Sequence, residues 1–445
     1  MSRHGDARER YVTDFQSFAQ NGASHAPQWL RDLRAHAIAR FAELGWPTTK
    51  QEDWRFTSVA SLAATPFVRV TDDGPGILAT QAASLSIARE SIRIGFVNGR
   101  FAPALSSVSE LPHGVTVGSL ARAVETDAEL TRGHLARHAS IETSAFTALN
   151  TAFMSDGAFV HLAANVALDR PVELLFLGAG SSQPTVCHPR TLVVLDRGAA
   201  ATVAETYASL DDGPYWTNGV TEISLGDGAT LEHFRVQQES ERAYQVAATH
   251  TSQGRDSMLR LHAVSVGAVL ARHDLHTVLA GTGGELVLNG LYLLHGQQHA
   301  DHHTVIEHAQ PHATSHEYFN GILSERAHGV FNGRIVVRPG AQRTDSKQTN
   351  NNLLLSADAR ADSQPQLEIY ADDVKCTHGS TVGPLDQAAL YYLRSRGLST
   401  PEATGMLTYG FAAEIVQRMQ HPALRDAVAR LIRGRLVEHA PVGSL

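Results

Sequence analysis

"RTLVVLDRGAAATVAETYA", residues 190–208, holds the pattern that decides the fold. An apolar run of strand length breaks at Asp196-Arg197-Gly198, and a second run, "ATVAETYA" (201–208), follows almost at once. Short apolar or alternating runs bounded by glycine and aspartate turns read as strands. The unit recurs outward in both directions as "SIRIGFVNG" (91–99), "VELLFLGAG" (172–180), "GVTEISLGDG" (219–228), "ATLEHFRVQ" (229–237), "ELVLNGLYLL" (285–294) and "GRIVVRPG" (333–340). The turns "DRGAAATV", "GDGATLEH" and "GTGGELVLNG" resemble one another at irregular spacing. From residue 90 to 365 helical signal is sparse, which disfavours a doubly wound α/β fold. A β-helix, a sandwich and a barrel all fit, and periodicity does not choose among them.

Helices flank this β region. In "PQWLRDLRAHAIARFAELGWP" (27–47), Leu30, Leu33, Ala37, Phe41 and Leu44 recur at helical spacing, and Gly45 with Pro47 closes the helix. The next segment, "TTKQEDWRFTSVASL" (48–62), is expected to dock through Trp54 and Phe56. Near the other end, "LDQAALYYLRSRG" (385–397) is amphipathic. "STPEATGMLTYGFAAEIVQRM" (399–419) opens with Ser399 three residues before Glu402, the spacing of a capping box, and Pro401 in the first turn. A further helix, "ALRDAVARLIRGRL" (423–436), follows His421-Pro422. The reading divides the chain into a helical region 1–90, a β core 91–380 and a C-terminal helical domain 381–445.

Charge and composition exclude several functions. The 37 basic residues are scattered among 45 acids, for a net charge of -8, so the chain shows no nucleic-acid footprint. No apolar run approaches the ~20 residues of a membrane span. The start, "MSRHGDARER", lacks the apolar stretch of a secretory signal, which places the protein in the cytoplasm. Cys187 and Cys376 are far apart in sequence and are expected as reduced thiols. None of the lysines sits in a phosphate-binding GxxxxGK[ST] loop, and GxSxG and CxxC are both missing.

Two stretches are left to carry chemistry. "HGQQHADHHTVIEHAQPHATSHEYFNG" (295–321) supplies imidazoles and carboxylates that suit zinc, iron or manganese. His303, Glu307 and His308 suggest a cupin-like metal enzyme drawing on His295–His316, although adjacent His302 and His303 would point to opposite faces of a strand. The competing reading is a ladder of histidines hydrogen-bonded across neighbouring strands. The second stretch, "EIYADDVKCTHGSTVG" (368–383), alternates as a strand would; if that strand runs on, Cys376 and His378 share a face about 7 Å apart. Lys375 would then help to hold a thiolate. A structural cysteine beside a turn histidine is the plainer alternative. An iron–sulfur cluster takes four protein ligands, so any cluster at Cys376 and His378 would need another chain.

"VFNGRIVVRPGAQRTDSKQTNNNLLLSADARADSQPQLEIYADDVKCTHGSTVGPLDQAALYYLRSRGLS" (330–399) closely resembles the shared core of the SufB/SufD family of iron–sulfur cluster assembly scaffolds. The resemblance continues upstream through "HHTVIEHAQPHATSHEYFNGILSERAHGVFNG" and downstream through "ATGMLTYGFAAEIV", and residues 29–59 are similar to the SufD branch. It implies a mainly β protein: a right-handed parallel β-helix flanked by N-terminal and C-terminal α-helical domains. It implies pairing with a SufB paralogue and docking of the ABC ATPase SufC on the C-terminal helices, so that ATP hydrolysis belongs to the partner and this chain is a scaffold rather than an enzyme. It also implies that His378, with Cys376 as an accessory thiol, contributes ligands to a transient Fe-S cluster shared with SufB. A flavin on the complex, the role of Cys187 and a homodimer formed when SufB is absent stay open.

Overall fold

The computed structural model describes residues 3–21, 24–70, 79–108, 110–180 and 183–438, so the ends of the two terminal helical regions lie outside the described residues. Strands alternate between two sheets, and each pairs in parallel with the strand one turn away. Thr314–Leu323, for example, pairs with Asp345–Leu354, and that strand with Lys375–Gly383. The result is a parallel β-solenoid of about eight turns. This resolves the three β architectures that periodicity left open.

The corners explain why the turns look alike yet recur irregularly. Asn165, Gly198, Gly228, Asp256, Gly283, His312 and Arg343 all have positive φ, between 53° and 72°. Each donates its N–H to a carbonyl in the next turn: Gly198 to Asp227, Gly228 to Arg255, His312 to Gln342 and Arg343 to Asp373. Glycine reaches the left-handed region without steric cost. At the other corners the stacked hydrogen bond fixes the same conformation on a residue with a side chain.

The two ends of the solenoid are built differently. At the N-terminal end both sheets finish in antiparallel strands, Arg100–Phe101 against Ile92–Val97 and Val115–Ser119 against Ala158–Leu162. Three helices pack on the outer face of one sheet, against strands Tyr215–Leu225 and Tyr244–Gln253: α1 (Arg3–Asn21), α2 (Gln28–Leu44) and α3 (Ala145–Phe153). Their aromatic side chains Tyr11, Phe41, Phe146 and Phe153, with Trp46 just after α2, converge with Trp216 of the solenoid, with ring centroids 5.6–6.3 Å apart among the contacting pairs. The helix expected around residues 28–44 is α2, closed by Gly45 at φ 65°. Helix α3 falls inside the region expected to be strands. Every one of its residues is buried, so it lacks the polar face that betrays a helix in sequence.

At the other end the sheets stop at Arg360–Ile369 and Lys375–Gly383, each with one unpaired edge. The continuous strand expected across residues 367–378 is instead two strands in different sheets, separated by a corner. Three helices follow: α4 (Gln387–Ser395), α5 (Thr400–Val416) and α6 (Pro422–Glu438). The capping box of α5 is present, with Ser399 and Glu402 satisfying each other's backbone N–H. Ala412, Ile415 and Val416 of α5 join Leu424, Val428 and Ile432 of α6 in one core with Phe234, Val264, Leu291 and Ile322 on the outside of the solenoid.

Candidate functional site

Lys375–Gly383 is the last strand of its sheet, paired on one side with Asp345–Leu354 and bare on the other. Cys376 is partly buried against the interior core, while His378 is exposed. The two residues share a face because they are two positions apart on one strand. That part of the expectation holds although the strand begins later than expected. Ser380, next on the same face, donates to Ser363 of the facing strand at 2.9 Å, tying the two terminal strands together.

The electrostatics of Cys376 differ from the expectation. Burial, and then the carboxylate of Asp345, push its thiol up from the usual range, so Lys375 does not make a thiolate here. Asp345 is the ladder partner of Lys375, the residue before Cys376. Cys376 is therefore a thiol in the free chain, to be deprotonated by a metal or by an arriving partner. Cys187 is also a free thiol. Burial drives it to about 12, with Thr217 beside it, which makes it inert.

The interior next to His378 is polar. Glu317, Gln348 and His378 occupy one register position on successive strands, with Leu288 before them. Gln348 Nε2 donates to Glu317 Oε2 at 2.6 Å. Burial pushes Glu317 up to about 7, against the pull of Thr304 and Gln348. The inward residues of "DSKQTNNNLL" (345–354), Ser346, Gln348, Asn350 and Asn352, are all buried. Sequence reasoning missed them, although a strand whose alternation is polar on both faces was a readable signal.

The histidine-rich stretch is split between the two faces of its strand. His302 and His308 point inward, bonded to Ser265 at 3.1 Å and Ser315 at 2.8 Å. His299, His303 and Glu307 point outward. Glu307 pairs with Arg338 at 2.8 Å, and His303 with Asp301 at 3.0 Å. His299 bonds His328 on the neighbouring strand at 3.1 Å, and His328 bonds Asp362 at 2.7 Å, a cross-strand histidine ladder of the kind expected. Thr57 bonds His299 and Asp301, and Arg272 lies 3.7 Å over the Trp54 ring, so the outward histidines fasten the segment containing Trp54. Among the described residues, no three histidine, cysteine or acidic side chains are grouped to hold a metal.

Residues 176–411 match the SufBD core domain of SUF system FeS cluster assembly, and residues 5–174 match the SufBD protein N-terminal region. The chain belongs to the SufB/SufD family. It is 34% identical over 416 residues to an iron–sulfur cluster assembly SufBD family protein of Synechocystis, covering 92% of this chain and 91% of that one. It is 31% identical over 421 residues to the iron–sulfur cluster assembly protein SufD of Escherichia coli, covering 94% and 95%. A protein of the same name from Bacillus subtilis is 25% identical over 422 residues. The SufBD core match spans the last strand, α4 and most of α5, and it ends before α6.

Proposed function

We propose that this chain is a scaffold subunit of Suf iron–sulfur cluster assembly whose open solenoid end pairs with a SufB paralogue. A bare parallel edge offers unsatisfied N–H and C=O groups that another chain's edge can take up. The observation that carries the proposal is the position of Cys376 and His378 on that edge strand: they present two ligands where a partner must supply the others. The nascent cluster is cargo. His378 offers an imidazole nitrogen from an exposed position, and Cys376 gives up its proton when iron arrives.

The C-terminal helices support docking of an ATPase such as SufC. Tyr391 is 75% exposed, Tyr392 56% and Met406 54%, large apolar side chains left outside the α5–α6 core. Between α5 and the last strand lies a cleft of about 510 Å³ lined by Val382, Leu385, Met406 and Phe411. ATP-driven movement of helices seated there would reach the edge strand directly, gating the shared site. ATP hydrolysis itself belongs to the partner.

The test is reconstitution of the three-protein complex. His378→Ala should keep the complex assembled and cut cluster formation about tenfold or more, since it removes a ligand. Wild-type cluster yield would remove His378 from the site. Tyr391→Asp with Met406→Asp should release the ATPase while leaving the SufB pairing intact.

A further inference from the structure

A metal-binding histidine usually donates its second ring nitrogen to an acceptor, which fixes the tautomer and the ring orientation. Among the described residues His378 takes part in no hydrogen bond, but its ladder neighbour has an acceptor to spare. Gln348 is 1% exposed, and its Nε2 is committed to Glu317. That bond sets the amide orientation and leaves Oε1 buried without a partner. Adjacent strands run about 4.8 Å apart, so in-register side chains on one face are in contact range. The space for the amide is reserved from the facing sheet. A Cβ on Gly333 would stand 2.2 Å from Gln348 Nε2 and 2.6 Å from the Phe331 ring.

We propose that Gln348 Oε1 accepts a ring N–H of His378, presenting the other nitrogen's lone pair outward to iron, and that Glu317 holds the Gln348 amide in the orientation this requires. Gln348 and Glu317 are positioning residues; neither touches the cluster. The inference rests on the reading of His378 as a ligand and adds to it a buried support within this chain. Sulfur chemistry plays no part in it, so it concerns only where the imidazole lone pair points. It also explains why a buried strand keeps glutamine where Leu288, in the same column, is apolar.

The experiment reads the hydrogen bond directly. The full chain is labelled with ¹⁵N-histidine, and the His378 ring signals are identified by their loss in His378→Gln. At a pH where the ring is uncharged, the wild type should show one protonated and one unprotonated nitrogen, a single tautomer. Gln348→Leu should show averaged shifts, and Gln348→Glu should restore the single tautomer. Averaged shifts in the wild type itself would overturn the proposal without any variant. So would identical shifts in the wild type and a folded Gln348→Leu. In the assembled complex Gln348→Leu should lower cluster yield about tenfold, with recovery in Gln348→Glu. Wild-type yield in His378→Gln overturns the ligand reading, whatever the nitrogen shifts show. Loss of yield there, with unchanged shifts in Gln348→Leu, overturns the positioning alone.

Discussion

The two ends of the solenoid share a backbone geometry and differ in how each stops. The N-terminal end turns its outermost strands antiparallel and packs the short helix Leu120–Thr126 against one of them. Inward residues there, Ile92, Ile94 and Phe96, are apolar and fully buried. The C-terminal end has Ser346, Gln348 and Asn350 in the corresponding inward positions, and both its outer edges are bare. Apolar filling stabilises an end within the chain itself, whereas polar filling and open edges leave hydrogen-bonding groups that the chain does not use.

The sharpest way to break this comparison is to cut into each end in turn. Phe96→Ala, in the apolar interior of the N-terminal end, should cost about 3–5 kcal/mol by urea unfolding. Equal losses from exposed substitutions at the open end would erase the distinction. A second measurement uses pH. Glu317 has a folded value near 7 against an ordinary 4.5, so the folded state binds the extra proton between those limits. Its ionisation therefore costs folded stability as pH rises through that window, and the cost is complete above about 7. Glu317→Gln should match the wild type most closely below pH 4.5 and exceed it by up to about 3 kcal/mol at pH 8. Buried histidines such as His250, held at about 3 by desolvation, act in the opposite direction, and they cancel in the difference between variant and wild type. The smallest stability effect is expected at the edge: Val382→Lys, at a position 48% exposed, should change folding by less than about 0.5 kcal/mol. The same lysine should weaken pairing with the partner in sedimentation, because a charge on an edge strand opposes strand addition.

Much of this architecture was legible in the residues. The strands around Gly198 and Gly228, helix α2 and the capping box at Ser399 follow from local chemistry. The corner ladder did not, because Asp256, His312 and Arg343 adopt the glycine conformation through bonds to a turn that is distant in sequence. Helix α3 escaped because burial on all sides removes its periodicity. At the site, the shared face of Cys376 and His378 followed from spacing alone. The corner before them, the Asp345 carboxylate that raises the Cys376 thiol, and the Gln348–Glu317 pair required the register between strands.

The corner ladder also sets an order of events during synthesis. Each turn of the solenoid docks on the turn made just before it, so folding advances along the chain as a sequence of short closures, each starting from a finished template. The N-terminal end emerges from the ribosome first and can act as the seed. The strand bearing Cys376 and His378 is the last rung laid down, and it has a neighbour on only one side. Its backbone amides should therefore exchange with solvent faster than those of any inner strand, and a partner seated on the bare edge would slow them to the rate of the interior.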